Sequence, residues 1–159
     1  MILNNLLIGL PIMLLCLIVQ AAVAFWSVRY YVKQSMATAK PRKFVEGLRI
    51  LVVAMLAMMA GNFAQIILWG SLFVCLGEFN ELYDAVYHSA VNFSSLGYGD
   101  IVMTKNWKLL GPLEAVNGVL MLAMTAAALM VILQQLIKTQ RDEVFASARR
   151  SIDRDGAAR

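Results

Sequence analysis

The residues able to do chemistry in this chain are few, and they cluster. The run Ser94-Ser95-Leu96-Gly97-Tyr98-Gly99-Asp100 sets two glycines on alternate positions within an apolar stretch. Glycine enters backbone regions that side chains resist, so alternate glycines let successive carbonyls point the same way. A column of such carbonyls replaces a cation's water shell, while Leu96 and Tyr98 turn outward and pack it in place. One strand cannot enclose an ion. Closure calls for several copies about an axis, which means a cyclic homo-oligomer. Other chemistry is poorly supplied. One histidine, His88, and two distant cysteines, Cys16 and Cys75, cannot build a conventional zinc site. Ser94 and Ser95 stand near His88 in sequence, but no third triad member or oxyanion donor is evident. An enzyme is not expected, and no cofactor is expected.

The elements that must position this run are written in the composition. Of 159 residues, 60% are apolar and 15% charged, where about 25% charged is usual for soluble proteins. The deficit is concentrated in three windows without charge, 6–26, 50–77 and 115–137. About 20 apolar residues cross a hydrocarbon core as a helix, so each window is a transmembrane helix. Cys16 lies mid-window and Cys75 near the end of another, so no disulfide framework is expected. Residues 82–93 are apolar and aromatic, yet as a helix they reach only about 18 Å, half a bilayer. Glu78, Glu81 and Asp84 stand at their start, where the helix dipole favours negative charge. A half-length helix followed by alternating glycines reads as a re-entrant loop. Irregular backbone at membrane depth is tolerated only when buried in protein or lining a watery cavity. The expected fold is an all-α membrane protein with three transmembrane helices and a re-entrant loop. Its parts are an N-terminal helix over 1–32, a basic linker over 33–49, a domain over 50–138 that carries the loop and a short tail over 139–159.

Basic residues give the orientation. Arg29, Lys33, Lys40, Arg42, Lys43 and Arg49 fill one loop; Lys138, Arg141, Arg149, Arg150, Arg154 and Arg159 fill the tail; 78–110 has only Lys105 and Lys108. Positive loops stay cytoplasmic, so the N-terminus is expected outside and the C-terminus inside. The net charge of +4 then reflects topology and contact with anionic lipids. Nucleic acid is not an expected partner, because the basic residues are split and lack an aromatic platform. Ala22-Val23-Ala24 resembles a signal-peptide cleavage site, but the positive flank is at the wrong end. After Pro41, the spacing of Arg42, Glu46 and Arg49 allows either a short amphipathic lead-in at the inner surface or simple continuation of the span. No span carries the regularly spaced cations of a voltage sensor, and the tail is too short for a nucleotide- or calcium-sensing domain.

Ser95-Leu96-Gly97-Tyr98-Gly99-Asp100 resembles the selectivity filter of the potassium channel superfamily, whose usual form is Thr-Val-Gly-Tyr-Gly-Asp. The resemblance covers roughly 42–138 and is greatest to small bacterial pore-only channels, with an extra helix in front. It implies that 50–138 is a pore domain, with 82–93 as a re-entrant pore helix, and a homotetramer in the cell membrane, the bacterial inner membrane, passing K+ down its gradient. By resemblance the carbonyls of Ser95, Leu96, Gly97 and Tyr98 form the stacked K+ sites, and the Ser95 hydroxyl completes the innermost. Gly99 shapes the outer mouth. Asp100 either raises the local cation concentration there or braces the filter from behind.

Several positions depart from the family pattern. Ser95 replaces Thr, Leu96 replaces Val or Ile, and Met103 stands where many relatives have Pro. Val91 occupies the place of a bracing carboxylate, and Tyr87 and His88 that of two aromatics. The filter-supporting positions are thus Tyr87, His88, Val91 and Glu114. His88 is either a pH-sensitive donor or a pore-helix side chain satisfied by a neighbour. Glu114 and Asn117, one turn apart, either brace the filter or reach the interface. Gln20 is a lone polar residue suited to helix packing. Thr125 is the expected polar contributor to the cavity, beside a small-residue patch of Ala123, Ala126, Ala127 and Ala128 that allows close helix approach. Between Gly118 and Gly156 there is no glycine, so a sharp mid-helix hinge is not expected. Two other functions fit the same chain: a weakly selective monovalent cation channel, and a non-conducting scaffold or accessory subunit.

Overall fold

The computed structural model describes residues 1–36 and 44–157. Four helices account for nearly all of them: α1 (Ile2–Met36), α2 (Phe44–Cys75), α3 (Leu82–Phe93) and α4 (Leu110–Ala157). Three are long and apolar enough to cross a membrane, over 2–34, 45–75 and 110–146. All exceed the charge-free windows, because helical hydrogen bonding does not stop where the hydrocarbon does. Over the described residues α2 is continuous from Phe44 through Glu46 and Arg49 into the span, so continuation replaces a separate lead-in there; Pro41 lies outside the described residues. The tail prolongs α4 as helix to Ala157. The short α3 spans 12 residues with the bounds expected from sequence.

α1 and α4 lie side by side and run in the same direction. Gly9 sits against Leu110 and Leu113, Gln20 meets Thr125 further down, and Tyr31 clusters with Ile132. α2 runs the opposite way, bringing Ile50 and Ala54 to Tyr31 and Ile132 at one end. At the other end Trp69 and Phe73 pack with Ala85, Phe93, Leu110 and Met121. α3 is seated here by two glycines. Gly70 leaves room for the main chain of Val86, and a Cβ on Gly118 would overlap the Phe93 carbonyl. The α3 carboxyl end is therefore pressed onto α4 at Gly118.

At mid-bundle the apolar packing is interrupted by one polar cluster. Gln20 donates to Thr125 at 2.7 Å, Gln65 donates to Gln20 at 2.8 Å, and Asn62 donates to Thr125 at 3.2 Å. Gln20 and Gln65 are buried. Buried amides without partners cost several kcal/mol in an apolar medium, about 2–7, so the helices align to pair them. Thr125, expected at a cavity, is drawn into this cluster and turns its hydroxyl toward α1 and α2.

Candidate functional site

The segment that follows α3 takes its shape from the end of that helix. Ser94 N–H donates to the Ala90 carbonyl and Ser95 N–H to the Asn92 carbonyl, closing the last turn. The Val91 carbonyl accepts from Leu96 N–H at 3.0 Å and Gly97 N–H at 3.4 Å, so Val91 holds the segment through its main chain. Positive φ then recurs on alternate residues: 57° at Ser95, 61° at Gly97 and 73° at Gly99. Leu96 and Tyr98, between them, stay on the ordinary side. Ser95 is the sole non-glycine with positive φ among the described residues, at a cost of about 1–2 kcal/mol.

None of the described residues covers this segment. Residues 94–100 are exposed, with Leu96 at 55% and Tyr98 at 68%. The outward side chains expected to pack a carbonyl column therefore have no packing partner within one subunit.

Behind the segment the opposite holds. The Tyr87 hydroxyl donates to Asp100 Oδ2 at 2.7 Å. That bond holds the Asp100 carboxyl below the usual carboxylate range and raises the Tyr87 phenol. His88 is buried against the rings of Phe73 and Phe79, with centroids 5.7 and 5.2 Å away. Its Nδ1 lies 3.0 Å from the Ile101 carbonyl, and its Nε2 lies 2.9 Å from the Asn92 amide nitrogen. Burial lowers the imidazole pKa, outweighing the Ile101 carbonyl, Asp100 and Glu78, which raise it. Asn92 also reaches Glu114 Oε2 at 3.4 Å, and Ser89 bonds both Glu114 Oε1 and the Ile66 carbonyl. Glu114 is 0% exposed. Asn117, one turn on, is also buried but makes no hydrogen bond with any of these groups; it lies beside Cys16 of α1.

The loop after the segment is tied down separately. Thr104 donates to Glu78 through its N–H at 2.6 Å and its hydroxyl at 2.5 Å. Glu81 holds the N-cap position of α3 without a side-chain bond, and Asp84 sits in the first turn. The Asn5 amide of α1 donates to the Asn106 carbonyl at 2.8 Å. Met103 is buried in the core near Gly111, which anchors the loop by packing where proline would have fixed it by its ring.

Tyr87, His88, Val91 and Glu114 are thus brought together behind residues 95–100, and Thr125 is not. Sequence reasoning missed Ser89, Asn92, Glu78 with Thr104, and Asn5. A usable signal existed for two of them. Ser89 and Asn92 are polar residues three apart on a mostly apolar helix, and Asn92 lies four after His88, the spacing at which helix side chains meet.

Residues 63–135, from mid-α2 through most of the apolar part of α4, match the family model described as Ion channel. The stretch is thus similar to that family over somewhat less than half of the chain. It takes in α3, the alternating segment and every residue of the cluster behind it. Neither the curated proteins nor the solved structures gave a match to this chain.

Proposed function

We propose that this protein is a K+-selective channel, passive and homotetrameric, with Ser95 to Gly99 as its selectivity filter. The observation that carries the reading is the alternation of left-handed backbone at Ser95, Gly97 and Gly99. With φ alternating in sign, each chain offers the carbonyls of Ser95, Leu96, Gly97 and Tyr98 as a ladder. Four chains about an axis would make rings of four oxygens that stand in for water around a dehydrated cation. The exposed Leu96 and Tyr98 would then be covered by a neighbouring subunit, which accounts for apolar side chains left open on a well-packed bundle. Asp100, tied to Tyr87, would stand at the mouth.

The basic loop and tail support a membrane orientation with the N-terminus outside, and contact with anionic lipid at the cytoplasmic face. Since α1 and α4 run in parallel from the filter end, the N-terminus lies on the side of the filter's mouth.

The test is flux and reversal potential with purified protein in liposomes and planar bilayers. In mixed K+ and Na+ the reversal potential is expected to follow the K+ gradient. A reversal near zero would replace selective conduction with a weakly selective cation pore. Absence of flux from the protein alone would leave the scaffold or accessory role.

A further inference from the structure

Glu114 is an acid in an unusual place. It is wholly buried on α4, one turn from the start of the helix, and among the described residues no ion pair reaches it. A carboxylate at that depth without a cation is costly, so the hydrogen bonds around it can be read for where protons must be. The Ile66 carbonyl only accepts, and it lies 2.7 Å from the Ser89 oxygen. Ser89 has one hydroxyl proton, and that bond uses it. The remaining short contact, Ser89 to Glu114 Oε1, then needs its proton from Glu114. The same reading continues along α3. The Ile101 carbonyl only accepts, so the proton of His88 is on Nδ1. Nε2 faces the Asn92 amide nitrogen, which only donates, so Nε2 is bare and accepts, while the second amide hydrogen points to Glu114 Oε2. Every group is satisfied only if both Glu114 and His88 are uncharged.

We infer that Glu114 is a positioning residue of the filter, acting as a neutral carboxylic acid. It donates to Ser89, and through Asn92 and His88 it fixes the Ile101 carbonyl just beyond Asp100. This rests on the channel reading above. The titratable groups that face the relay are Cys16 from α1, Asp100 and Glu78 toward His88, and Tyr87 beside it. α2 offers the Phe73 ring and the Ile66 carbonyl, neither of which titrates.

Glu114→Gln separates this proposal from a carboxylate brace. A glutamine amide donates to Ser89 and accepts from Asn92 as the neutral acid does, whereas it cannot replace a charge. In the full-length protein in liposomes, Glu114→Gln is expected to keep the K+/Na+ selectivity of the wild type. Glu114→Ala leaves Ser89 and Asn92 without their partner and is expected to lower selectivity roughly tenfold, the scale of one lost buried hydrogen bond. If Glu114→Ala does not assemble, Ser89→Ala, which removes the acceptor of the acid's proton, carries the same expectation. Infrared spectra give a reading that does not depend on conduction. The wild type at neutral pH should show the carbonyl band of a protonated carboxylic acid, and Glu114→Gln should lack it. Loss of selectivity in Glu114→Gln, or absence of the band in the wild type, overturns the proposal. Wild-type flux with unaltered selectivity in both Glu114→Ala and Ser89→Ala overturns it and leaves the channel reading standing. A wild type that passes no ions removes the channel reading itself, and with it the positioning role.

Discussion

The two sides of the segment 95–100 differ in every physical respect. Its back is closed: Ser89, Asn92, His88 and Glu114 hold one another within α3 and α4, and Tyr87 holds Asp100. Its front is bare, with Leu96 and Tyr98 more than half exposed and a non-glycine residue, Ser95, in left-handed backbone. Strain of that kind persists where surrounding structure over-determines it. One chain holds the segment from behind and leaves its front uncovered by the described residues. On the proposed tetramer, folding of the subunit and completion of its function would be separable events. Substitutions behind the segment should act first on the subunit and through it on the segment, and substitutions within the segment on the proposed pore alone.

The largest effect expected is at Gly118. A Cβ there overlaps the Phe93 carbonyl, so Gly118→Ala must push α3 off α4, and the variant should fail to give a monodisperse oligomer on size exclusion. Gly97→Ala should be its counterpart. The added Cβ meets nothing within 4 Å among the described residues, and the left-handed backbone costs about 1–2 kcal/mol. Normal expression and helicity with K+ flux abolished is the expected result. Equal flux from Gly97→Ala and wild type would break the comparison outright.

Gln20→Leu tests the mid-bundle cluster, remote from either side. It leaves Gln65 and Thr125 short of a partner, and buried polar bonds within membranes are worth about 0.6–2 kcal/mol. Stability in detergent should fall by that amount, read as a lowered Tm, with selectivity unchanged.

Acid should loosen the back and spare the front. Burial lowers the His88 pKa, so the folded protein binds this proton less readily than the unfolded chain does. Stability is then complete above the ordinary imidazole value of about 6.5. It declines as the pH falls through that value and levels off below the lowered folded value. Wild type should lose thermal stability as the pH falls below about 6.5, and His88→Phe should flatten that part of the profile. The smallest change belongs to Tyr87→Phe, which removes one bond to an exposed carboxylate. The Asp100 carboxyl should titrate at higher pH, nearer its ordinary range, as seen by NMR of labelled aspartate, with little loss of stability.

What was legible beforehand follows the same division. The bounds of α3 could be read because a half-length apolar run begins with acids and ends where glycines alternate, all of it local in sequence. The left-handed Ser95 was not legible, since glycine marks positive φ by its type and serine does not. Glu114 and His88 could be named, but Ser89 and Asn92 gain their meaning only from the register of α3 on α4, which Gly118 sets in space. Gln20, Asn62, Gln65 and Thr125 are single polar residues scattered over three helices. Each is ordinary alone, and their meeting depends on how α1 and α2 slide against α4. The extent of α4 was open to two readings, a prolonged inner helix or a disordered tail, because charge ended the window at 137; the backbone goes on as helix.

That extent has a mechanical meaning. At 1.5 Å per residue, the 48 residues of α4 form a rod about 72 Å long. Between Gly118 and Gly156 no glycine or proline softens it. Glu114 stands at the upper end of this shaft, one turn above Gly118, so the tail and the cluster behind Ile101 share one continuous helix.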